Sequence, residues 1–139
     1  MADTATTSRE LHCVVVTPER ALLDEPADFI ALPLYDGELG VLPGRAPLVG
    51  RLGYGELQIT TAAGKRSYFI DGGFVQVKQG VVSLLTDRAQ PADKLDAHQA
   101  EDELQKAQQR HPKGDADFAE KAKELLRARR KLALARKAR

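Results

Sequence analysis

From Leu11 to Asp87 the apolar residues come in short bursts at every second position, broken by Gly, Pro or Asp about every eight to twelve residues. That rhythm predicts strands, because a period of two sends alternate side chains to opposite faces of a sheet. In "GELQITTAAGKRSYFID", Leu57 and Ile59 alternate with Glu56, Gln58 and Thr60. "AAGK" then turns the chain, and Tyr68 and Ile70 resume the inward set, which predicts a hairpin. "GGFVQVKQG" continues with Val75 and Val77 on one side and Gln76 and Lys78 on the other. "VVSLLTD" reads as apolar on both faces, the pattern of a strand between two layers. About eight to ten short strands result, a number that suits an all-β sandwich.

At "RAQPADKLD" the pattern changes. Glycine is absent from residues 81 to 113, Ala, Lys, Glu, Gln and Leu take over, and the apolar spacing lengthens to three or four. A first helix is predicted from near Pro91, with Asp93 and Asp96 towards its start, Lys106 and Arg110 towards its end, and Ala97, Ala100, Leu104 and Ala107 on one face. "HPKGD" ends it. Asp115 or Asp117 is placed to cap a second helix, Asp117 lies at capping-box spacing from Glu120, and Phe118, Ala122, Leu125, Leu132 and Ala135 form a narrow stripe. The short connection predicts an antiparallel two-helix hairpin. The expected organisation is a disordered extension over residues 1–10, a β-sandwich domain over 11–88 and a regulatory helical hairpin over 89–139. An alanine-rich seam buries few methylenes, at about 0.8 kcal/mol each, against the entropy of ordering two helices. The hairpin is therefore expected to dock weakly and to have a second arrangement.

Charge divides the chain at the same place. Residues 1–87 carry 7 Lys/Arg against 11 Asp/Glu, net −4, and residues 88–139 carry 14 against 9, net +5. Residues 125–139 hold Arg127, Arg129, Arg130, Lys131, Arg136, Lys137 and Arg139 with no acid, so the terminus implies an acidic partner surface. Apolar runs such as "CVVV" are far short of the roughly 20 residues of a membrane span, and "MADTATTSRE" has no basic and apolar leader pattern, so a soluble protein without an export signal is expected. The lone Cys13 sits in an apolar run, which excludes a disulfide framework and fits a small buried hydrophobe.

Catalytic chemistry finds no constellation. His12, His98 and His111 fall in a strand, a helix and a turn without metal-site spacing, and Ser67 and Ser83 sit inside strands with no base nearby in sequence. "AAGKRS" lacks the leading glycine and the final hydroxyl of a phosphate-binding loop. No metal or cofactor is assigned. A basic-tailed sandwich adaptor or a nucleic-acid-binding module stays open on charge alone; the acidic sandwich and the lack of interleaved aromatics count against nucleic acid. "DGELGVLPGRAPL", residues 36–48, combines three glycines and two prolines with Leu39, Val41, Leu42 and Leu48. Glycine opens backbone angles closed to other residues and proline removes donors, while the apolar residues still reach a core, so this segment reads as a chain changing sheets.

These residues carry a resemblance. "PLYDGELGVLPGRAPL" resembles the signature of the epsilon subunit of rotary F-type ATP synthases, "IDGGFVQV" its Gly-Gly-Phe strand, and "VVSLLTDRAQ" the strand leading out of its sandwich. The helical pair is similar to its C-terminal domain. The resemblance implies a non-catalytic central-stalk subunit on the cytoplasmic face of the bacterial inner membrane, associated with the membrane only through the complex. Its sandwich would couple the gamma subunit to the c-ring, with Gly37, Glu38 and Leu39 at the c-ring interface. Arg45 stands where that family usually has His, a permanent charge in place of a titratable one.

The resemblance further implies that the basic second helix can extend into the catalytic head of alpha and beta subunits and block ATP hydrolysis, with Arg127, Arg129, Arg130 and Lys131 as the contact set. Some members bind ATP through a pattern of Ile or Leu, Asp, two variable residues, Arg and Ala. Leu95, Asp96 and Ala100 keep that pattern, and Gln99 replaces its arginine. Loss of a charge-assisted contact predicts weak or absent ATP binding.

Overall fold

The computed structural model describes residues 11–137, and the extension expected over residues 1–10 lies outside them. Eight strands come first: β1 (Leu11–Val16), β2 (Ala21–Ala27), β3 (Phe29–Leu34), β4 (Gly37–Val41), β5 (Leu48–Thr61), β6 (Gly64–Lys78), β7 (Val81–Leu85) and β8 (Ala89–Pro91). They form one hydrogen-bonded sheet in the order β2-β1-β7-β6-β5-β3-β4, with β8 beside β6. The pairings are antiparallel except β1 with β7. The sheet folds over one core, in which Cys13, Ile30, Leu32, Val41, Leu57, Ile59, Ile70, Val82 and Leu84 come together from six strands. The sandwich expected from the alternation is thus formed.

The hairpin at "AAGK" joins strands of 14 and 15 residues, far longer than the short strands expected, and paired from Thr61↔Gly64 to Leu48↔Val77. Each serves both layers. The end of β6 lies between β7 and the start of β5, whereas the far halves of the ribbon lie between β3 and β8. To keep apolar side chains inward along such a bent ribbon, the alternation must change phase. It does: Leu52 faces the core in one half of β5 and Leu57 and Ile59 in the other, and in β6 the inward set passes from Ile70 to Val75 and Val77. The phase changes flank Gly53 and Gly73, whose lack of Cβ lets neighbouring backbone come close. Pro33 fits the same logic, because the β3–β5 register shifts between Ala31 and Leu34, where proline has no donor to give.

Two strand readings need correction. "VVSLLTD" is not covered on both faces: Val82 and Leu84 are buried, but Leu85 is 57 % exposed and Val81 37 %. The strand lies in one layer, with its second face outward. The sheet also continues past residue 88, because Tyr68↔Pro91 and Ile70↔Ala89 add β8 to it. Pro91 therefore ends a strand, and a 3₁₀ turn, Ala92–Lys94, precedes the first helix.

Helix α1 is Ala97–Gln109 and α2 is Asp115–Lys137. The start of α1 lies some residues beyond Pro91 because Asp96 is the cap: its Oδ1 accepts from the backbone N–H of His98 at 2.8 Å and of Gln99 at 3.3 Å. Asp117 does not cap α2. It lies in the first turn and binds the connection instead, accepting from Lys113 N at 2.9 Å and from the Arg110 guanidinium. The helices run antiparallel, since Arg110 also reaches Glu124, Lys121 donates to the Gln108 carbonyl at 3.2 Å, and Lys131 pairs with Glu103 at 3.2 Å. The buried stripe of α2 is Ala128, Lys131, Leu132, Leu134 and Ala135. Phe118 and Ala122, expected in that stripe, are exposed, because the first half of α2 stands away from the sheet.

Candidate functional site

The phase change in β5 and β6 turns Tyr54, Glu56, Phe69 and Asp71 outward, opposite the core. Phe69 nonetheless is only 1 % exposed, because Ala92, Leu95, Leu134 and Ala135 cover it. This small second core seats the helical hairpin on the sandwich. Around it runs a row of charges. Arg127 Nε lies 2.8 Å from Asp71 Oδ2, Arg130 Nη1 donates to the Tyr54 carbonyl at 2.8 Å, and Lys137 Nζ reaches Glu56 Oε1 at 2.9 Å. Glu56 is itself positioned by the Ser67 hydroxyl, which donates to Oε2 at 2.6 Å.

The electrostatics follow from these contacts. Burial pushes the Glu56 carboxyl up, but the Ser67 hydroxyl and the Lys137 ammonium outweigh it and hold its pKa below the ordinary value. The Lys137 pKa is raised by the same hydrogen bond, with Glu38 adding to the field. The Lys113 backbone N–H, then Arg110, hold the Asp117 carboxyl low. Cys13 is inert by contrast, since burial pushes its thiol up to about 12.

Beyond the seat, the first half of α2 and the sandwich diverge around a cleft of about 1020 Å³, bordered by Tyr35, Arg51, Phe74, Leu85, Leu126 and Arg130 among others. Phe74 and Leu85 are cross-strand partners on the outward face of β6 and β7, and Val49 adds a third exposed apolar side chain to that side. Arg51 stacks over the Tyr35 ring at 4.3 Å. Among the described residues no group of three or more His, Cys, Asp or Glu side chains is gathered to hold a metal, and no helix is long and apolar enough to cross a membrane. What the surface offers is binding area and charge.

Residues 10–92 match the family model of the ATP synthase delta/epsilon chain, beta-sandwich domain, over more than half of the chain. The chain belongs to the ATP synthase delta/epsilon family. It is 58 % identical over 97 residues to the ATP synthase epsilon chain of Rhodopirellula baltica, covering 70 % of this chain and 76 % of that one. It is 38 % identical over 129 residues to the epsilon chain of Solibacter usitatus, covering 91 % and 96 %. A chain in the structure of the Euglena gracilis mitochondrial ATP synthase, OSCP/F1/c-ring, superposes with a TM-score of 0.80 at 26 % identity, covering 90 % of this chain and 81 % of that one.

The residues singled out by the epsilon-subunit resemblance fall in three places. Gly37 and Glu38 open β4 on the exposed tip of the β3–β4 hairpin, whereas Leu39 pairs with Leu32 and packs against the sandwich core. Of the four cations expected at the catalytic head, Arg127 and Arg130 are engaged by the sandwich, Lys131 is buried against Glu103, and Arg129 is exposed. Leu95 and Ala100 are buried, Asp96 caps α1 and Gln99 is exposed. Sequence reasoning missed Phe69 and Asp71. The available signal was adjacency, because Phe69 beside Ile70 puts large apolar groups on both faces of one strand.

Proposed function

We propose that this epsilon-type chain is a non-catalytic rotor subunit of the central stalk of a proton-translocating ATP synthase, peripheral to the cytoplasmic face of a bacterial inner membrane. Its sandwich couples the gamma subunit to the c-ring. The tip of the β3–β4 hairpin, with Gly37 and Glu38, suits the polar contact with the c-ring, and Leu39 supports it from the core side. The outward sheet face with Val49, Phe74 and Leu85 suits the gamma subunit, since exposed apolar side chains clustered on a flat face favour a protein partner.

The single observation that carries the regulatory part is the way the hairpin is held. The sandwich has a complete core of its own, and the hairpin rests on it through Phe69 and a row of charge contacts. Such an arm can leave without unfolding its base. Extended, it brings Arg127, Arg129 and Arg130 to an acidic surface of the alpha and beta subunits and inhibits ATP hydrolysis; Lys131 joins them once α1 and α2 separate.

Removing residues 96–139, which leaves β8 and the 3₁₀ turn intact, is expected to raise the ATPase activity of the assembled complex. Gamma and c-ring subunits are expected to co-purify with the truncated chain. An unaltered ATPase rate overturns the inhibitory role, and loss of co-purification of the full-length chain with a rotor overturns the assignment as a whole.

A further inference from the structure

Two of the cations that the extended form of α2 would present, Arg127 and Arg130, also hold it down on the sandwich, with Lys137 beside them. At about 100° per residue, Arg127, Arg130 and Lys137 fall within roughly a quarter-turn of one another on α2, while Arg136 points to the opposite side. Their three partners lie on one strip of the sandwich: Tyr54 and Asp71 are cross-strand neighbours, and Glu56 follows Tyr54 on the same face of β5. The strip is preorganised. Ser67 fixes Glu56, and the backbone of Asp71 is tied to β8's approach through its N–H to the Arg88 carbonyl at 3.1 Å.

We infer that Asp71 and Glu56 form an intramolecular decoy, an acidic strip that competes with any acidic partner surface for Arg127, Arg130 and Lys137 and so sets how often the tail is released. This rests on the reading of α2 as the inhibitory arm and adds what regulates it. The two states are mutually exclusive, because α2 cannot rest on the Tyr54, Glu56 and Asp71 strip and extend away from the sandwich at the same time. Release breaks the contacts of Arg127, Arg130 and Lys137 together, so the parked state is favoured until a more acidic surface is offered. Each pair is partly exposed and individually weak, which keeps the exchange reversible.

The test uses the full chain with Leu134→Cys as a reporter. Leu134 is buried against Phe69 in the docking cluster, so the rate at which a thiol reagent labels it follows the released fraction even when that fraction is small. Cys13 is buried in the sandwich core and stays silent. In this background Asp71→Asn and Arg127→Gln are each expected to speed labelling roughly three- to tenfold, Arg136→Gln to leave it unchanged, and the swap D71R/R127D to restore the parental rate. Parental rates in both Arg127→Gln and the Asp71→Asn, Glu56→Gln double variant overturn the decoy, as does equal acceleration by Arg136→Gln. Arg127→Gln decides alone if Asp71→Asn fails to fold. The ATPase rate of the complex carrying the Glu56→Gln, Asp71→Asn chain separates the two readings: fast labelling with an unaltered ATPase rate keeps the decoy and removes the inhibitory role.

Discussion

A side-chain carbon placed on Gly73 would sit 1.9 Å from the carbonyl oxygen of Leu85, far inside van der Waals contact, and Gly73 itself has a φ of +116°. Both facts arise where β6 changes phase between its two layers. Gly73→Ala should therefore destabilise the sandwich by about 3 kcal/mol or more, through clash and a forbidden backbone angle together. Urea unfolding of the full chain measures it. A loss below about 1 kcal/mol would show that the strand can relocate its bend.

Phe69 separates the stability of the base from that of the arm. Phe69→Ala removes the central contact of the docking cluster, and truncations of this kind cost about 3–5 kcal/mol in an ordinary core. The expected result here is release of the hairpin, seen as rapid trypsin cleavage after the basic residues of α2, while the sandwich retains its cooperative unfolding. Joint loss of both would mean that the arm is part of the core.

Acid should loosen the arm. The Glu56 carboxyl has a pKa below its ordinary value of 4.5 in the folded chain, so its contribution is complete above that value and is lost as pH falls through the folded pKa. Lys137, whose pKa is raised, stays charged throughout that range. Amide resonances of Leu134 and Ala135 followed below pH 4.5 should shift towards the released state, and Glu56→Gln should flatten that response.

Asp96 has a structural task in this chain. Asp96→Ala should cost about 1 kcal/mol of α1 stability through loss of the cap, read by thermal unfolding of the helical signal. Because Gln99 supplies no cation, millimolar ATP should leave the α1 amide resonances of the parent chain in place. Micromolar binding by calorimetry would refute that expectation.

The alternation from Leu11 onward was enough to specify a sandwich, because the partition of apolar side chains in a two-faced strand is written residue by residue. The shift to alanine, charge and longer spacing after Asp87 specified two helices for the same reason. The joint between them was misplaced because Ala89–Pro91 carries no alternation and becomes a strand only through pairing with Tyr68, Phe69 and Ile70. The stripe of α2 was misjudged at Phe118 because helical periodicity fixes a face but says nothing of how far along its length a helix meets its support.

The local pattern thus determined the elements, their order and the excess of positive charge at the end. Tertiary structure decided which cations are free to act and which are held. Arg127 and Asp71 are 56 positions apart in sequence. Only the phase change in β5 and β6, which turns Asp71, Tyr54 and Glu56 outward beneath α2, makes neighbours of them. Charge is a property of each residue, but pairing depends on where the folded chain brings its distant parts.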